Sequence, residues 1–391
     1  MPQFTAAQIS TTELIKLEWR FLTYGAMMSF WSSIGQTFFI SLFSLEIRTE
    51  LSLSHGEFGA YYAVATMVSA LTLFWLGKQA DKVTVFHLSL ITIIALALSG
   101  IFFSFVSGVF TLVCGLYLLR LFGQGMMTHV YSVAIARRYK ATRGRALAIT
   151  GMGINIAESV GPPIIVFMTA NMGWRQVWVI IPLIFFLSIV PFLSRLTKKT
   201  SLQEEIITES NDVLNKPEKI NFKRKDLLKN VEFWLVIIPI IAVPSFTITG
   251  ILFHQIFLAN EKSITLFNWS KYYAFYALTA IVGAFLSGFL IDWISARKTG
   301  FIGHLALLIA LISLWLGEKS ITLILFFSLF GLASGMIISN TNALLAEKYG
   351  TKWLGEIKAA AQPVTVGSSA ISPIMLGIMI DKGYALTGIM L

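Results

Sequence analysis

Residues 77–82 read GKQADK and residues 288–293 read GFLIDW. Each stretch ends a long apolar run, and each sets a glycine four residues before an aspartate. Gly77 and Asp81 recur as Gly288 and Asp292 at an offset of 211. The same offset relates Gly144 to Gly355, and Pro162 of VGPP to Pro373 of ISPI. An offset of 210 relates Tyr139 to Tyr349 and Gly125-Met126 to Gly335-Met336, and one of 215 relates Gly35 and Phe38 to Gly250 and Phe253. A near-constant offset through four pairs of apolar segments is an internal repeat, so the chain reads as two copies of one unit.

Composition says what kind of unit. Of 391 residues, 56% are hydrophobic and 13% charged, and Phe alone contributes 31. Mean hydropathy is +0.75. Soluble chains carry about 25% charged residues, so this one cannot cover its surface with polar groups and reads as a polytopic membrane protein. Cys114 is the one cysteine, which excludes a disulfide framework and a cysteine metal site. The five histidines show no metal-ligand spacing. The polar, mixed-charge first 18 residues, with Glu13 and Glu18, do not resemble a cleavable leader.

A span needs about 20 apolar residues. Eleven candidates follow: 20–45, 57–77, 83–106, 109–136, 145–170, 174–194, 232–259, 271–291, 300–316, 320–345 and 357–380. The repeat projects the sixth onto about residues 385–405, so only the start of a twelfth precedes Leu391. Helix 12 is therefore expected to be truncated, either because the gene product is shortened or because eleven full helices suffice. With the N-terminus inside, the segments on that side hold 23 of the 30 Lys and Arg residues and the opposite side six, with Arg120 within a span. Positive residues favour the cytoplasmic side, which predicts a cytoplasmic N-terminus and turns the net charge of +10 into a topology signal rather than a nucleic-acid one. Residues 196–230 are the one long polar stretch. The expected organisation is a six-helix half over 1–195, a part-helical cytoplasmic linker over 196–230 and a second half over 231–391. Each half has an even number of spans, so the two copies insert the same way up, and sites in such folds lie between the halves.

Two ionisable groups other than histidine sit deep in the spans, Arg120 and Glu158. A charge at such depth costs at least a few kcal/mol and is usually paired or functional. At about 1.5 Å per residue, Arg120 lies roughly 25 Å and Glu158 roughly 21 Å from the cytoplasmic ends of consecutive antiparallel spans, so the two can meet. Glu158 then reads as a proton carrier, with Arg120 as its counter-charge or an anion anchor. The plainer alternative is a static ion pair locking two helices. His254 and Gln255 lie in SFTITGILFHQIF, and a histidine there can donate to a substrate or shuttle a proton, or simply bond to a neighbour. Gln36 and Thr37 in the first span, Asn340 in the tenth and Gln362 in the eleventh are polar groups expected to face the interior, as site residues or as interhelical glue.

These motifs together resemble the major facilitator superfamily over nearly the whole chain. GKQADK is similar to that family's loop after the second helix through Gly77, Asp81 and Lys82, and GFLIDWISARK (288–298) is the fuller copy, with Gly288, Asp292 and Arg297. RLFGQGMM (120–127) is similar to the helix-4 arginine–glycine pattern through Arg120, Gly123 and Gly125. GMGINIAESVGPP (151–163) resembles the Gly-Pro helix 5 but lacks the doubled glycine that drug–proton antiporters carry after the proline. ARRYKATRGRALAITGMG, ending at Gly153, looks like monocarboxylate and oxalate/formate-type members.

The resemblance implies an all-α fold of two pseudo-symmetric six-helix bundles and alternating-access secondary transport. It also implies a conformational latch at Asp81 and Asp292 with their neighbouring bases, and a coupling role for Arg120. The expected function is proton-coupled transport of a small organic solute, leaning to an organic anion such as a monocarboxylate. One alternative is drug efflux by proton antiport. Another, prompted by the short helix 12, is a receptor or scaffold that no longer transports. No nucleotide-cradling loop, nucleophile elbow or zinc motif is present, so no enzymatic activity and no cofactor are expected. The expected partners are the solute, protons and the lipid bilayer, the expected state a monomer and the expected location a bacterial inner membrane.

Overall fold

The computed structural model describes residues 10–77, 83–139, 142–197, 222–317, 320–350, 353–385 and 388. Its elements are helical throughout. They run α1 (Thr11–Trp31), α2 (Thr37–Ile40), α3 (Ser44–Leu51), α4 (His55–Leu76), α5 (Val85–Ser104), α6 (Val109–Leu119), α7 (Thr128–Arg138), α8 (Arg143–Met172) and α9 (Trp174–Leu196). After the polar stretch come α10 (Arg224–Lys229), α11 (Ile238–Phe253), α12 (Gln255–Glu261), α13 (Leu266–Lys271), α14 (Tyr273–Trp293), α15 (Ala296–Leu316), α16 (Ser320–Tyr349) and α17 (Leu354–Asp381). Backbone groups must be satisfied internally in lipid, which selects helices.

Ten helical stretches among the described residues are long and apolar enough to cross a membrane. They match ten of the eleven spans read from the sequence. The remaining one, 20–45, is not a continuous helix. It begins as α1 and breaks into a 3-10 turn at Ser32–Gly35, an extended Gln36, the short α2 and a second 3-10 turn at Ser41–Phe43. The start of a twelfth helix and residues 198–221 of the polar stretch lie outside the described residues. At the end of that stretch, α10 is folded, and the Phe222 N–H donates to the Tyr349 carbonyl at 3.0 Å.

The chain groups into two compact units: residues 1–36, 68–157 and 171–216 form one, and residues 37–67, 158–170 and 217–391 the other. In the first, α5 packs on α9, and Phe103 meets Trp178 edge-on with ring centroids 4.7 Å apart. Tyr24 of α1 shares a 2.8 Å hydrogen bond with Ser89 of α5. In the second, α14 and α16 approach backbone to backbone: a Cβ added at Gly335 would lie 2.0 Å from the Ala280 carbonyl oxygen. Without a hydrophobic force between helices in lipid, small residues that permit such approach hold them together. Large apolar side chains such as Phe74, Phe110, Phe289 and Phe301 are exposed, as a lipid-facing surface requires.

Candidate functional site

Arg120 sits where two helices abandon α geometry. The sequence RLFGQGMM sets two glycines among eight residues, and Arg120–Met127 winds as a π-helix between α6 and α7. Short π segments inside α-helices recur at functional sites. Alongside it, the first span is broken at Ser32–Gly35. The two backbones nearly touch there: a Cβ on Gly123 would lie 2.6 Å from the Gly35 Cα. The break leaves the Gly35 carbonyl free of a helical partner, and Arg120 Nη1 donates to it at 3.0 Å. Arg120 is 3% exposed, so this deep cation is buried against backbone oxygen in its own unit.

Glu158 is placed differently. It lies in α8, four residues before Pro162, and is half-buried. Among the described residues of its unit no hydrogen bond or ion pair to it exists, while Tyr273 and Tyr276 of α14 lie within electrostatic reach. Arg120 and Glu158 belong to different units, and each is described by its own surroundings.

Three other expected residues come together in the second unit. Residue His254 separates α11 from α12 in a non-helical conformation, so this helix too is interrupted, as the first span is. His254 is 5% exposed, and its Nε2 is 3.0 Å from the Pro373 carbonyl oxygen, which accepts. Gln255 is 1% exposed and fully engaged. Its Nε2 donates to the Phe38 carbonyl at 2.9 Å and to Ser41 Oγ at 2.7 Å, and its Oε1 accepts from Tyr273 at 2.9 Å. Ser41 Oγ in turn donates to the Leu252 carbonyl at 2.7 Å. Thr37 and Tyr62 share a 2.7 Å bond. Around this network Phe38, Phe58, Tyr62, Phe253 and Tyr273 are buried. The polar groups here are buried and hydrogen-bonded to one another or to backbone carbonyls.

The remaining expected residues are dispersed. Gln36 is half-buried in extended backbone. Asn340 is buried beside Gly300, and its Oδ1 has no hydrogen-bond donor among the described residues. Gln362 is exposed. Of the latch residues, Asp81 and Lys82 lie outside the described residues. The Gly77 carbonyl bonds to His129 Nε2 at 3.0 Å, and Gly288, Asp292 and Arg297 are exposed at the end of α14 and the start of α15.

One constellation escaped sequence reasoning. Glu18, at a kink in α1, accepts from Arg138 Nε at 2.9 Å and from the Tyr139 hydroxyl at 2.8 Å, and both charged side chains are 7% exposed. Arg138 also lies over the Phe21 ring, 4.3 Å from its centroid. In the sequence, Glu18 stands at the end of the polar first 18 residues and Arg138 in the basic run 137–145, with nothing local to join them. The available signal was Tyr139, already marked by its repeat partner Tyr349.

The solved structures similar to this chain include a bacterial homolog of the human lysosomal transporter Spinster, inward-facing and unoccupied. It is 16% identical, with a TM-score of 0.69, covering 94% of this chain and 83% of that one. The same homolog in its occupied form matches with a TM-score of 0.64 and 16% identity, over 92% and 80% of the two chains. The nucleoside transporter NupG, as a point variant, is 12% identical with a TM-score of 0.67, covering 94% and 92%. At these identities the likeness is one of fold. No curated protein matches the chain. The Major Facilitator Superfamily model matches residues 25–373. With most of the chain inside that match, the protein belongs to the Major Facilitator Superfamily.

Proposed function

We propose that the protein is a proton-coupled secondary transporter of a small organic solute, working by alternating access, with Glu158 as the proton carrier. The observation that carries this reading is the state of Glu158: a half-buried carboxylate in an apolar helix, with no hydrogen bond or ion pair among the described residues of its unit. A carboxylate in low dielectric is costly when charged and far less so when protonated. A group whose wetting changes during the cycle therefore gains and loses its proton with it. Arg120, held by the Gly35 carbonyl, serves in this reading to fix the first span against the π-helix.

The resemblance of residues 136–153 to monocarboxylate and oxalate/formate-type members supports an organic acid as solute. The same Glu158 carboxylate supports a second reading, in which an organic cation and a proton compete for it and the protein is an antiporter. The excess of 23 cations over six favours a cytoplasmic N-terminus in a bacterial inner membrane. The test is uptake into proteoliposomes under an inward pH gradient, with labelled small acids, amino acids, sugars and drug-like cations. Accumulation of one class that collapses with a protonophore, and is lost in Glu158→Gln while solute exchange persists, is the expected result. Unchanged pH-driven uptake by Glu158→Gln would remove the proton-carrier assignment.

A further inference from the structure

The N-terminus of α4 is capped twice, once by its own sequence and once from far away. Ser54 and Glu57 form a reciprocal box: the Glu57 N–H donates to Ser54 Oγ at 3.2 Å and the Ser54 N–H to the Glu57 carboxylate at 2.8 Å. That arrangement leaves the N–H groups of His55 and Gly56 without intrahelical partners. Both are taken by one carboxylate, that of Asp381: the His55 N–H donates to Oδ1 at 2.9 Å and the Gly56 N–H to Oδ2 at 2.7 Å.

Asp381 is the last residue of α17. An anion at the C-terminus of its own helix is opposed by that helix's dipole, whereas at the N-terminus of α4 it is favoured. The residue is thus wrong for the helix that carries it and right for the helix it touches. The backbones support the same contact. A Cβ on Gly377 would lie 2.6 Å from the His55 carbonyl oxygen, and one on Gly59 would lie 2.4 Å from that of Pro373. Beneath the cap lie the His254–Pro373 bond and the Gln255 network. A small cavity lined by Ser44, Arg48, His55, Phe58, Phe253 and His254 fills the space between.

We propose that Asp381 is the gating residue of this end of the molecule, a two-point clasp that holds α4 against α17 and must release before the seal around Gln255 opens to solute. The inference rests on the transport reading for its purpose. Its readout needs no solute, so the two can fail separately. Ser44 is 6% exposed beneath the clasp. In a Cys114→Ser background, Ser44→Cys in the full-length protein in lipid nanodiscs is reacted with a charged, membrane-impermeant maleimide. Added Asp381→Asn, which keeps one acceptor but loses the charge and the second bond, should speed labelling by about threefold or more, because charge-assisted hydrogen bonds are the stronger ones. Asp381→Glu should restore a rate near the parent's. Gly377→Ala tests the same contact by wedging it apart and should speed labelling in the same direction. It decides the question if Asp381→Asn does not fold. Parent-rate labelling in every folded member of the Asp381→Asn and Gly377→Ala pair overturns the proposal.

Discussion

Arg120 and Glu158 are both ionisable groups set in apolar helices, and the chain treats them in opposite ways. Around Arg120 the backbone itself is reshaped: one helix widens to π geometry, another breaks, and a carbonyl is turned to the guanidinium at 3.0 Å. Around Glu158 the helix continues, although Pro162 lacks the N–H that the Glu158 carbonyl would accept from, and the described residues of its unit offer the carboxylate no hydrogen bond. A buried charge that has a partner is costly to separate from it. A half-buried one without a partner in its unit retains its choice between charged and neutral forms. On the proposed reading, Arg120 holds the fold in place and Glu158 takes part in the cycle.

The first way to break the comparison has the largest effect. Glu158→Gln should abolish gradient-driven accumulation while leaving counterflow exchange, measured in the proteoliposomes described above. Loss of exchange as well would place Glu158 beside Arg120 as a structural group. Next, the buried Glu18–Arg138 pair supplies a reference for a fully matched charge. Glu18→Gln removes the carboxylate facing Arg138 and should cost about 3–5 kcal/mol, read by denaturation in detergent, with the double variant Glu18→Gln/Arg138→Gln recovering most of it. A double variant as unstable as the single one would show that packing, not charge, dominates there.

Smaller changes sharpen the Arg120 side. Gly123→Ala forces a Cβ into the Gly35 backbone and should cost about 1–3 kcal/mol, in the range of overpacking, with the melting temperature as readout. Arg120→Lys removes the planar fork but keeps the charge. It should lower stability by about 1–2 kcal/mol with an unchanged KM for whichever solute the panel identifies. A KM raised about tenfold, or 1.4 kcal/mol, would make Arg120 a solute ligand instead. The least effect belongs to Tyr24→Phe, which deletes one interhelical bond and should cost about 0.6 kcal/mol in the same melt.

Much of the fold was legible because lipid imposes a simple rule. Apolar runs of the right length announced ten of the described helices, and the offset of 211 carried by Gly77, Gly288, Pro162 and Pro373 announced their kinship. The interruptions were not legible. Ser32, Ser33 and Gly35 are ordinary residues of a membrane helix, and their 3-10 turn depends on the close crossing with Gly123. His254 and Gln255 stood out as polar residues in an apolar run, but nothing local indicated that their partners would be carbonyls of Pro373 and Phe38, 119 and 217 residues away. Glu18 and Arg138 were missed for the same reason: each looked like a solvated charge at a membrane edge until the fold placed them together. Asp381 carried no sequence signal at all, because its role belongs to the N-terminus of another helix.

The broken first span has a kinetic meaning. Bending an intact helix requires hydrogen bonds of its ladder to part, and each parting raises the barrier. Between Ser32 and Thr37 that ladder is already interrupted: the Gln36 N–H reaches back only to Ser33, and Gln36 itself is extended. The division between the two compact units falls directly after Gln36. Bending the backbone at that point would therefore part fewer helical hydrogen bonds than an unbroken span would lose.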